Sequence, residues 1–195
     1  MRIAIFALVV ALFGAPPVSA QANDCSRAQR IVSRGGKAAD EDWAFAYIVQ
    51  CGTGGATALV DAMTRLRTST DTAGLTRAYR PTWWFKDGAV FDKAELLARD
   101  PGASVGARVN SIITVITIVG DRMWIPYRRA VQTPENTICQ VDIGAEAFDR
   151  PGSPLPTDFL QRAVQIRTDL LATPSVPLDV KRAANCIARA TAREH

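Results

Sequence analysis

Apolar residues recur at helical spacing along most of this chain. Residues 24–34 carry a first helical pattern, Gly35-Gly36 breaks it, and a second runs over about 40–51. Asp40, Glu41 and Asp42 fill the first turn of the second pattern, where acidic side chains complement the positive end of the peptide dipoles. Residues 54–67 are apolar at Ala58, Leu59, Ala62, Met63 and Leu66, and Arg65 and Arg67 close the stripe at the end that favours cations. A short helix is expected over 71–79, stopped by Pro81. Asp87-Gly88 marks a turn, and 89–99 resumes with Phe91, Ala94, Leu97 and Ala98 inward until Asp100-Pro101-Gly102. Ser104 caps a long helix reaching about Val119. Residues 133–156 hold Pro134, Pro151, Pro154 and Pro156 without clean periodicity and read as a loop with room for a short strand or helical turn. Thr157 is expected to cap a helix to Ala172, and after Pro174 and Pro177 a final helix fills 178–192. The pattern predicts an all-α fold, a compact bundle or short solenoid of antiparallel helix pairs.

One segment pulls the other way. Residues 112–119 read IITVITIV, eight β-branched side chains in succession, and Gly120-Asp121 followed by Arg122-Met123-Trp124-Ile125 suits a hairpin turn into a second strand. A small α+β domain with a hairpin near 112–127 is therefore the alternative. Ser104 as a cap and the sustained apolar face behind it favour a buried helix, since a strand here has few partners.

The N-terminus predicts export. Arg2 precedes an apolar run over 3–13, then Gly14-Ala15-Pro16-Pro17, and Val18-Ser19-Ala20 offers the small side chains a signal peptidase reads. The run is shorter than the roughly 20 apolar residues a bilayer crossing needs. Residues 1–20 are expected to be a signal peptide cleaved near Ala20, and 21–195 a single helical domain, periplasmic or secreted, with no membrane span in its mature form. Lipidation at Cys25 is disfavoured by Ala22-Asn23-Asp24 before it.

Cysteine usage fits that compartment. Cys25, Cys51, Cys139 and Cys186 are even in number and all lie beyond the leader, which favours two disulfides. Cys25 and Cys51 are equally far from the turn between the first two helical patterns, so an antiparallel pair brings them together at its open end. Cys139 and Cys186 are left to join the irregular loop to the last helix. Loops of this size imply about 3.5 and about 4 kcal/mol of stabilisation on the chain-entropy view. The chain has no C-x-x-C and no histidine beside these cysteines, so they do not read as a metal or redox site.

Charge and composition exclude more than they assign. A formal net charge of +4 is too small and too dispersed for a nucleic-acid surface, and Arg27, Arg30, Arg34 and Lys37 at helical spacing read as a solvated face. The single histidine is His195 at the C-terminus, where it is badly placed to serve a Ser-His or Cys-His pair. Gly102-Ala103-Ser104-Val105-Gly106 matches G-x-S-x-G but follows a helical segment, so Ser104 reads as a cap. Gly52-Thr53-Gly54-Gly55 lacks the lysine of a phosphate loop. No cofactor or metal is expected. Paired carboxylates remain as the minimal hydrolytic machinery, with Glu41, Glu95, Glu135 and Glu146 as the non-terminal glutamates.

An internal repeat adds a class of function. Glu95-Leu96-Leu97-Ala98, Asp100, Arg108, Val109, Ile112 and Ile113 align, 74 residues on, with Asp169-Leu170-Leu171-Ala172, Pro174, Arg182, Ala183, Cys186 and Ile187. Residues 55–63 form a fainter third copy. Each copy is the end of one helix, a short turn and a second helix with a basic residue early. This resembles the helix-turn-helix unit of HEAT-like repeat proteins, in which stacked pairs bury a continuous core. The resemblance implies a non-catalytic protein-binding or scaffold role, here with an envelope or extracellular protein as partner. Trp83, Trp84 and Phe85, three adjacent aromatics, are the candidate partner contact, with core packing as the plainer reading. The alternatives are a small envelope glycan hydrolase using carboxylates and an exported inhibitor of a hydrolase.

Overall fold

Three helix starts in this chain coincide with side chains that accept free backbone N–H groups, and several turns coincide with glycine or proline. A computed structural model describes residues 18–84, 86–120, 122–126, 139–146 and 154–192. Among them the helices are α1 (Val18–Arg34), α2 (Ala38–Tyr47), α3 (Gly52–Arg65), α4 (Thr72–Tyr79), α5 (Gly88–Arg99), α6 (Val105–Gly120), α7 (Phe159–Ala172), α8 (Leu178–Asn185) and α9 (Ile187–Thr191). Short 3-10 segments follow α2 at Ile48–Gln50 and α4 at Arg80–Trp84. The expected leader, residues 1–20, lies outside the described residues except for its last three, which open α1.

Local chemistry explains several of these boundaries. Gly35 has φ 83°, a left-handed conformation that side chains resist, and its N–H returns to the Ile31 carbonyl at 2.8 Å to close α1. Asp71 accepts from Ala73 N to start α4, and Asp87 accepts from Ala89 N and Val90 N to start α5. Ser104 Oγ accepts from Ala107 N at 3.1 Å, so the G-x-S-x-G segment is a capped helix start. Gly88 is close-packed, since a Cβ there would stand 2.3 Å from the Pro154 carbonyl oxygen.

The fold is all-α apart from one small ribbon. β1 (Arg122–Pro126) pairs antiparallel with β2 (Cys139–Glu146), in register from Pro126 opposite Cys139 to Trp124 opposite Val141, with an irregularity between Arg122 and Trp124. Residues 112–119 are helical, and the strand expected as their hairpin partner pairs with 139–146 instead. The expected loop over 133–156 thus contains a strand, and its other residues lie outside the described ones up to Pro154.

α6 is the axis of the core. It packs against α4, α5, α7, α8, α9 and β1, and Ile112, Val115, Ile116, Ile118 and Val119 are buried along it. A helix encircled in this way meets its backbone hydrogen bonds internally, whereas a strand in the same place needs a neighbouring strand on each side. That requirement outweighs the β-branched composition. The hydroxyl side chains on α6 are satisfied: Tyr79 Oη and Ser111 Oγ are 3.2 Å apart, Thr82 Oγ1 and Thr114 Oγ1 are 2.7 Å apart, and Thr117 Oγ1 donates to the Ile113 carbonyl. Burial pushes the Tyr79 hydroxyl up to about 12, against the opposing hydrogen bond with Ser111. One hydrophobic cluster runs from Ala28 in α1 to Ala190 in α9.

Both disulfides have the expected partners. Cys25–Cys51 closes the open end of the α1–α2 hairpin, and Cys139–Cys186 joins β2 to the end of α8, with Cα–Cα distances of 5.5 Å in each. Two boundaries differ from expectation. α7 begins at Phe159, because 157–158 form a turn in which Phe159 N bonds the Pro156 carbonyl, so Thr157 is not its cap. The last expected helix is two, α8 and α9, parted at the bridged Cys186.

Candidate functional site

The first surface with the shape of a site lies between α2 and α4. Both helices are short; α2 buries Ala44 and Phe45, and α4 buries Leu75, Ala78 and Tyr79. Phe45, Ala46, Val49, Ala73 and Pro81 line a groove of about 1100 Å³ between them. Polar groups crowd its rim. Arg77 Nε bonds Asp42 Oδ1 at 2.7 Å, and Arg77 Nη1 lies 3.5 Å from Glu41 Oε2. Glu41 also accepts from Gly36 N at 3.1 Å, which ties the α1–α2 turn to the same cluster. Arg80, exposed at the start of the 3-10 segment, lines the groove and has no ion-pair partner among the described residues.

The groove therefore combines an apolar floor with an unmatched cation at its edge. An apolar surface of this size with a few fixed polar groups is what ligand and peptide sites share.

The residues singled out in the sequence are distributed as follows. Trp83 is half-buried, and its indole N–H is fully enclosed without a hydrogen-bond partner among the described residues. The side chain of Trp84, and Phe85 altogether, lie outside the described residues. Trp83 follows Pro81 of the groove by two residues but is not one of the residues lining it. Glu41 and Glu95 are not brought together in a cleft: Glu41 faces Arg77, and Glu95 is bonded by Arg162 and lies 3.4 Å from Arg99. Neither lines the α2–α4 groove. Glu135 and the side chain of Glu146 lie outside the described residues. Cys25, Cys51, Cys139 and Cys186 are all consumed in bridges. Among the described residues no three of the metal-ligating types His, Cys, Asp and Glu converge, and no helix is long and apolar enough to cross a membrane.

A second recess lies where the α5–α6 turn meets the α7–α8 turn. It has a volume of about 520 Å³, and Arg99, Arg108, Val105, Asp169 and Val176 are among its lining residues. Nothing in the sequence signalled that these two turns converge. Compared with protein-family models, curated proteins and solved structures, the chain matches none.

Proposed function

We propose that the chain is an exported, non-catalytic binding or scaffold protein of the cell envelope, built from HEAT-like helix pairs. In this reading the α2–α4 groove holds an amphipathic segment of a partner protein, its apolar side on Phe45, Val49 and Pro81 and an acidic residue against Arg80. The observation that carries it is Arg80, which has no ion-pair partner among the described residues, beside Arg77, whose charge Asp42 and Glu41 already occupy. An apolar groove with one free cation selects an apolar segment that brings one anion. Two disulfides support the oxidising compartment, since such bonds persist outside the reducing cytoplasm.

The test places a photo-cross-linking amino acid at exposed Ala73 in the groove, with the same group at exposed Gln161 on α7 as control. Cells should yield one adduct of defined mass at Ala73 and none at Gln161, and Arg80→Glu should remove it. Equal adducts at both positions, or none at Ala73, overturn the groove. Mass analysis of the envelope fraction should find a chain beginning at Gln21; a chain retaining Met1 in the cytoplasm overturns export.

A further inference from the structure

The second recess contains a buried cation whose terminal nitrogens find no hydrogen-bond partner among the described residues. Arg108 is buried in the first turns of α6, with a relative exposure of 4%. Its Nε donates to the Ala98 carbonyl at 3.1 Å, where a cation also complements the C-terminal end of α5. Its two terminal nitrogens have no hydrogen-bond partner among the described residues. They are not sealed away either, because Trp83 Nε1 is the only fully enclosed unpartnered side-chain nitrogen or oxygen among those residues. As Arg108 lines the recess, the recess is their way out.

The nearby acids are already committed. Asp100 is bonded through both oxygens by Arg67 and accepts from Gly102 N. Asp169 is bonded by Arg99 and by Gln165. Burial draws the Arg108 guanidinium below its ordinary value and Asp100 opposes this, but an arginine at this depth still carries its charge. A buried cation without a counterion is costly unless something supplies one.

We propose that this recess binds the carboxylate end of a ligand with an apolar body, the two terminal nitrogens of Arg108 receiving the two carboxylate oxygens. The planar fork of a guanidinium matches a carboxylate in this way. Pro101, Ala103, Val105, Leu170 and Val176 supply the apolar wall for the rest of the molecule. A volume of about 520 Å³ suits a ligand of small-molecule size or the last residues of a peptide. One unmatched cation balances one negative charge, and a dianion such as phosphate would face Asp169 as well.

Calorimetric titration tests this with 4-phenylbutanoate against 4-phenylbutanol, and with glycyl-glycyl-alanyl-leucine against its C-terminal amide. Each carboxylate that binds should do so at least about tenfold more tightly than its neutral counterpart, the range of a charged hydrogen-bonded pair. Binding of phenylbutanoate alone identifies a free acid as ligand, binding of the peptide alone a chain terminus, and binding of both the shared end group. Val105→Glu, three residues before Arg108 on the same helix, provides a carboxylate in cis and should abolish binding with the melting temperature kept or raised. Arg108→Gln should abolish it too, and if that variant does not fold, Val105→Glu decides. Equal binding of charged and neutral probes, binding of neither carboxylate, tighter binding of inorganic phosphate, or unchanged binding by Val105→Glu overturns the proposal. Because the cross-linking test uses a different surface, its failure leaves this one standing.

Discussion

The α1–α2 hairpin and the α5–α6 hairpin solve the same problem with different means. Between them α1 and α2 bury Ala28, Val32, Ala44 and Phe45, mostly small side chains. At the exposed edge of this pair Arg27 bonds Asp40 at 3.2 Å and stands 4.9 Å from the Trp43 ring centroid. Both partners of that ion pair are about half exposed, so it contributes little. α5 and α6 instead bury Val90, Phe91 and Leu97 against Ile112 and Ile116, with no covalent link between them. Where apolar area is ample, packing alone closes a hairpin; where it is thin, a sulfur bridge does.

That contrast can be broken from either side. Phe91 is fully buried, edge-on to Phe159 with ring centroids 6.4 Å apart. Phe91→Ala should cost about 3–5 kcal/mol in urea unfolding, because nothing covalent holds α5 to α6. Replacing Cys25 and Cys51 together with serine should cost about 3.5 kcal/mol, with the loss of hydrogen-exchange protection concentrated in α1 and α2. If protection falls equally in α6, the division between stapled and packed hairpins is wrong.

The smallest of the three effects is set by pH. Tyr79 has its hydroxyl pushed up to about 12 by burial, against about 10 when unfolded. The folded state therefore keeps a proton that the unfolded state gives up. Stability from this source is intact below pH 10 and is lost as pH rises toward 12, by up to about 3 kcal/mol. Tyr79→Phe should flatten that alkaline slope, and a slope unchanged in the variant would show that Tyr79 does not cause it.

Much of this architecture was legible in the chain because it depends on local chemistry. Ser104 announces the start of α6 through an acceptor placed before an apolar run, and the α1–α2 turn fixed the partner of Cys25 by symmetry. Residues 112–119 were legible only in part: their composition favours strand, and the outcome depends on being surrounded by helices, which lies beyond any local window. β1 was visible as a candidate strand from Arg122, but its partner is 139–146, chosen by register with Cys139 and not by proximity in sequence. The parting of α8 from α9 at Cys186 has no glycine or proline to announce it. Of the two recesses, neither was legible, since each forms where distant segments meet. Arg108 did leave a trace, as a basic residue early in an otherwise apolar stripe. The repeat explained it as pattern, and only the structure, with Asp100 and Asp169 committed to other donors, leaves its terminal nitrogens without a hydrogen-bond partner among the described residues.

The two sulfur bridges span 26 and 47 residues and do not interlace along the chain. A polypeptide emerging N-terminus first can thus complete the first linkage before Cys139 has appeared, which removes two of the four thiols from competition. The later linkage then has a single possible partner. If the first linkage closes before Cys139 appears, no mispairing competes with it, and the non-interlaced pattern lessens the need for a reshuffling isomerase.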